Sequence, residues 1–156
     1  MWLFKNKVIS SIEDMPSNSY GFVYLVTHLP SERKYLGKKV LYFERNVKIG
    51  KRELEQIKEE RKAKGMGGRA PAKKKVVKES DWKTYYGSQV EIKELVKNGK
   101  ESDFKREILK FVDNKKHLTY FECKYLFIYE VLENNNEYIN DNILAKFYSR
   151  DFKWLS

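Results

Sequence analysis

Gly21-Phe22-Val23-Tyr24-Leu25-Val26-Thr27, followed after a polar turn by Lys34-Tyr35-Leu36-Gly37-Lys38-Lys39-Val40-Leu41-Tyr42-Phe43, decides the fold. The first run is apolar at both alternating sets of positions, the pattern of a central strand covered on both faces. His28-Leu29-Pro30-Ser31-Glu32-Arg33 between the two runs is turn chemistry. The pair therefore predicts an antiparallel hairpin. It would set Tyr24 and Tyr35 on neighbouring strands, with Lys38 and Arg45 close behind.

Working outward, residues 1–20 read as a lead-in ending at Pro16-Ser17-Asn18-Ser19. Residues 50–64 place Glu three or four positions from Lys or Arg, which predicts a charged, solvated helix. Beyond it Gly65, Gly67, Gly68 and Pro71 interrupt a stretch whose cations have no acidic neighbours, so it reads as a loop or mobile basic arm. Ser88-Gln89-Val90-Glu91 has capping-box spacing. A helix should start there, with Val90, Leu95 and Val96 on its apolar side and Asn98-Gly99 at its end. Phe104–Phe111 predicts a third strand, 116–132 a long helix, and 142–148 a short one. The expected class is α/β (α+β): a small, mainly antiparallel three-stranded sheet flanked by helices. One domain over 1–156 should carry a basic insertion at about 46–80.

The chain has 156 residues with 32 Lys or Arg against 22 Asp or Glu, a net charge of +10. From Lys38 to Lys78 there are 15 basic and 5 acidic residues, and the remainder balances at 17 of each. One segment holds the whole excess, which points to a polyanion, with nucleic acid ahead of an acidic protein or a membrane surface. Arg69, Lys73, Lys74, Lys75 and Lys78 are the candidate DNA-backbone contacts. A single cysteine, Cys123, excludes an internal disulfide framework and a Cys-based zinc site. No apolar run approaches the ~20 residues of a membrane span, and no secretory signal is visible, so a cytoplasmic location is expected.

The long helix supplies a further residue. At about 100° per residue, Glu122 falls within the apolar arc, between Tyr129 and Leu126. A carboxylate aimed at a core is costly unless paired, hydrogen-bonded or bound to a metal. Two readings stand: an edge glutamate reaching water or a lysine, and a ligand for a divalent ion. Two phenols, a lysine, an arginine and an inward carboxylate would suit phosphodiester hydrolysis. A phenol lowered in pKa by a lysine can take a proton from water. Arginine can clamp a phosphate, and a lone carboxylate can hold one divalent ion.

These residues resemble the GIY-YIG endonuclease family. Tyr35-Leu36-Gly37 corresponds to the second half of its motif, and Phe22-Val23-Tyr24 to the first, with Phe22 in place of the first glycine. The two tyrosines are 11 apart, and Arg45 lies ten after the second. Lys38 matches a family lysine, Glu122 the metal-binding glutamate, and Asn140 the family asparagine, with Asn142 as a rival. Lys34–Lys38 and Trp82-Lys83-Thr84-Tyr85-Tyr86-Gly87-Ser88 are similar to free-standing homing-type endonucleases of bacteriophages. The chain ends soon after Asn140, so the resemblance implies none of the separate C-terminal DNA-binding domain of homing enzymes.

The resemblance implies a Mg²⁺- or Mn²⁺-dependent endonuclease on double-stranded DNA, at work in the cytoplasm of a phage-infected bacterium. Glu122 would hold the metal. Tyr24 would be the general base with Lys38 lowering its pKa, and Tyr35 would contact phosphate or share that role. Arg45 would balance charge, and Asn140 would position the glutamate or the strand. A homodimer would serve double-strand cleavage. Two other readings are a non-catalytic basic nucleic-acid-binding module and an RNA-binding protein that stacks bases on Trp82, Tyr85 and Tyr86.

Overall fold

A computed structural model describes residues 1–155, and all counts below refer to these. In chain order the elements are β1 (Trp2–Phe4), β2 (Lys7–Ile9), β3 (Gly21–His28), β4 (Lys34–Val40), β5 (Tyr42–Lys48), α1 (Lys51–Ala63), β6 (Lys73–Glu79), α2 (Val90–Lys97), β7 (Phe104–Val112), α3 (Lys115–Ile128), β8 (Asn142–Ile143) and β9 (Phe147–Tyr148). They form two compact units. The first holds residues up to Leu41 and from Asp81 onward, and the second is Tyr42–Ser80.

The first unit is built on a five-stranded sheet in the order β2-β1-β7-β3-β4, antiparallel except where β1 meets β7. The expected fold class is found, with a sheet two strands wider than the three predicted. The extra strands come from the supposed lead-in. Trp2 is fully buried, and its indole N–H donates to the Trp82 carbonyl at 2.7 Å. Three-residue strands carry no periodicity, and this anchor lies 80 residues from its partner.

β3 is the central strand, and its two apolar faces have separate partners. Val23, with Leu36 of β4, packs beneath α3 against Leu118 and Leu126. On the other face Phe22 and Tyr24 meet Trp2, and Phe22 also meets Trp82, in edge-to-face contacts. The pairing of β3 with β7 shifts register between Val23 and Tyr24, a bulge beside the motif tyrosine. α3 is capped by Asn114, whose side chain accepts from the His117 N–H.

Three local expectations differ. α2 begins at Val90, but Ser88 does not cap it; its hydroxyl is engaged by Tyr35. The apolar anchor of α2 is Ile92, whereas Val90 is exposed. The segment read as a short tail helix is the β8–β9 hairpin followed by a 3-10 turn.

The second unit replaces the expected mobile arm with ordered structure. β5 and β6 pair antiparallel from Tyr42↔Glu79 to Lys48↔Lys73, and α1 connects them. Folding supplies acidic neighbours that linear sequence hides. Lys75 pairs with Glu44 at 2.7 Å and Lys74 with Glu53 of α1 at 2.8 Å.

Candidate active site

The site gathers at the free edge of β4. Tyr24 lies opposite Gly37 in the β3–β4 register and Val23 opposite Lys38, so alternation sends the phenols to one face of the sheet and Lys38 to the other. They converge because β4 is the outermost strand. Tyr35, Lys38, Glu122 and Asn140 share one polar cavity of about 450 Å³ with Ser88 and Asp141.

Glu122 projects from α3 toward that cavity. Its Oε2 lies 2.7 Å from Lys38 Nζ, which also donates to Thr119 Oγ1 at 3.2 Å. The lysine partner foreseen as the ordinary alternative is therefore present, and it is the site's own lysine.

Asn140 is buried and acts on the strand. Its Oδ1 accepts from the Leu36 N–H at 2.9 Å, and its Nδ2 donates to the Leu36 carbonyl at 2.8 Å. Just before it, the Lys34 N–H donates to the Glu137 carbonyl and the Ile139 N–H to the Lys34 carbonyl. The 137–140 segment thus finishes the exposed edge of β4 and fixes the backbone between Tyr35 and Gly37. Asn142 is occupied in a turn, where its Oδ1 accepts from the Ala145 N–H.

Tyr24 is 1% exposed. Its hydroxyl lies over Gly37, where an added Cβ would come within 2.5 Å of it. Burial holds this phenol well above the ordinary range, with the neighbouring phenols Tyr85 and Tyr35 adding to the effect. The lowering expected from Lys38 does not occur. Desolvation prevails instead, and Lys38 is engaged with Glu122 on the opposite face. Tyr35 is also raised by burial, partly offset by its hydrogen bond with Ser88, whose Oγ is 2.6 Å from the phenol oxygen. Tyr85 is raised by burial, partly offset by the neighbouring Tyr24 and Ser88 hydroxyls. Glu122 adds a smaller upward influence on all three phenols.

Ser88 and Tyr85 are the residues that sequence reasoning missed. They sit on the 82–88 loop, which buried Arg106 braces through the carbonyls of Lys83 (3.0 Å) and Tyr85 (2.8 Å). The Tyr85-Tyr86-Gly87-Ser88 run was the available signal, but a serine ahead of a helix reads as a cap. Of the aromatics considered for RNA stacking, one is closed off and two are half-buried with a cation over the ring. Trp82 is fully buried, Tyr85 lies under Lys39, and Tyr86 lies under Arg106. Arg45 is carried by the second unit, exposed on β5 opposite Val76.

A family model described as "Putative endonuclease segE, GIY-YIG domain" matches residues 2–143. The chain belongs to the GIY-YIG endonuclease family. The family's activity is endonucleolytic and its substrate is nucleic acid. The match begins at Trp2, so the GIY-YIG region includes the N-terminal strands as well as the β3–β4 hairpin. No curated protein and no solved structure matches the chain. Among the described residues no helix is long and apolar enough to cross a membrane.

The same residues hold no cluster of three or more His, Cys, Asp or Glu suited to a metal. A polar cavity lined by the carboxylates of Glu122 and Asp141 does suit Mg²⁺, which keeps several waters and shares its shell with substrate phosphate. It does not suit a metal that needs a full protein cage.

Proposed function

We propose that this GIY-YIG protein is a divalent-cation-dependent endonuclease of double-stranded DNA, with its reacting groups at the β4 edge. One observation carries the reading: Tyr35, Lys38 and Glu122 line the same open cavity, although they come from opposite faces of the sheet. Glu122 would hold Mg²⁺ or Mn²⁺, which would supply charge stabilisation at the scissile phosphate.

Tyr35 is the phenol with access to that cavity, and we assign it the base. A water oxygen attacks phosphorus, the Tyr35 phenolate takes the water proton, and the opposite phosphorus–oxygen bond breaks, its electron pair leaving with the sugar oxygen, which takes a proton from solvent. Compensating the Glu122 charge removes one influence that raises the Tyr35 pKa. Lys38, which lines the same cavity, would be a donor to the phosphate. Tyr24 is a positioning residue, packed beneath Gly37 and Tyr35. Asn140 holds the strand through Leu36.

The clamp role of Arg45 rests on its spacing from Tyr35. Arg69, Lys73 and Lys78 remain backbone contacts in this reading, whereas Lys74 and Lys75 already have carboxylate partners. Each chain cuts one strand, so a double-strand break takes two chains or two events.

Incubation with supercoiled plasmid tests the proposal. Relaxed product should form with Mg²⁺ and not with EDTA. Binding without cleavage under both conditions would favour the non-catalytic module.

A further inference from the structure

The second unit contains a concavity apart from the β4-edge cavity. Lys58, Arg61 and Lys62 of α1, with Arg69 of the following loop, line a space of about 390 Å³ with Met66 and Gly68. Four cations face it and no acidic side chain lines it. Among the described residues, no ion pair links Lys58, Lys62 or Arg69 to a carboxylate. Lys58 and Lys62 stand at i and i+4, a spacing of like charges that weakens a helix on its own. The nearby Lys74 and Lys75 are neutralised by Glu53 and Glu44. The cup therefore gathers cations of the unit that carry no carboxylate partner.

It is also built. α1 ends in a Schellman motif: the Met66 N–H donates to the Arg61 carbonyl at 2.9 Å and the Gly65 N–H to the Lys62 carbonyl at 3.1 Å. Gly65 supplies the required positive φ of 66°. The Arg61 guanidinium then donates to the Gly67 carbonyl at 2.9 Å. One arginine thus fixes the loop through both its backbone and its side chain. The same bonds close off carbonyls at the helix end that would repel an anion.

We infer that this cup is a binding site for an internucleotide phosphate, a backbone anchor that reads no base. The inference rests on the nuclease reading for its choice of polyanion. It adds Lys58 and Lys62 to Arg69 as anchoring cations, in place of the paired Lys74 and Lys75. Arg61 shapes the site.

The test measures binding of the full chain to a short fluorescent DNA duplex in EDTA over a series of salt concentrations. Lys58→Gln/Lys62→Gln/Arg69→Gln should weaken binding about tenfold and flatten the log K against log salt slope by about 0.9 for each phosphate no longer neutralised. Lys58→Arg/Lys62→Arg should retain the wild-type slope, and Lys74→Gln/Lys75→Gln should change it less. An unchanged slope in the triple variant overturns the site. An equal loss in the triple and the Lys74/Lys75 variants also overturns it, because binding would then follow net charge alone. Titration with inorganic phosphate is the third arm. Saturable heat that the triple variant loses, without any change in duplex binding, would make the cup a free-anion site and overturn the backbone assignment. Cleavage plays no part in the readout, so loss of the nuclease reading would appear separately, as intact binding without cutting.

Discussion

Gly37 and Tyr24 show how one contact sets the chemistry at the β4 edge. The motif glycine has an ordinary backbone, yet a Cβ there would strike the Tyr24 hydroxyl at 2.5 Å. Gly37→Ala should destabilise the first unit by ~1–3 kcal/mol, the usual range for overpacking, as read by chemical denaturation. Tyr35 carries the functional counterpart. Burial raises its pKa above the ordinary phenol value of about 10, so it is protonated at neutral pH. If it is the base, the active fraction is the phenolate, and the cleavage rate should climb as pH rises from neutrality into the alkaline range. Tyr35→Phe should lose that climb; a variant with the same rising profile would take Tyr35 out of the base role. Tyr24 acts on stability with the opposite sign. Its folded pKa lies well above the unfolded value, so its contribution is intact below about pH 10 and is lost as pH rises beyond that.

At the scale of elements, the sheet edge is closed by side-chain hydrogen bonding as well as by strand pairing. Asn140 satisfies both backbone groups of Leu36, which is 1% exposed. Asn140→Ala should cost ~1–3 kcal/mol, the penalty for stranding buried polar groups, seen as a lower melting temperature. Periodicity alone gave the β3–β4 hairpin, β7 and α3, because each is long enough for apolar spacing to repeat. Glu122 was legible for the same reason, as a carboxylate within an apolar arc. Ser88 was not, since its partner Tyr35 lies 53 residues earlier and a serine before a helix has a simpler local use. Trp2 was missed because a three-residue strand cannot display a period. The pairing of Lys75 with Glu44 required the β5–β6 register and that of Lys74 with Glu53 the placement of α1, neither of which a lysine run specifies.

For the whole molecule, the cavity residues and the phosphate cup belong to different parts of the chain. The phenols, Lys38 and Glu122 lie in the first unit, while the second unit holds Arg45 and the phosphate cup. Binding and cutting should therefore separate under mutation. The most direct test of the central claim is cleavage of supercoiled plasmid in Mg²⁺ by the wild type and by Glu122→Gln, with duplex binding measured alongside. The variant should lose about 10²–10³-fold in rate, comparable to removing a key electrostatic stabiliser, while binding DNA as tightly as the wild type. Undiminished Mg²⁺-dependent cutting by Glu122→Gln would contradict the account.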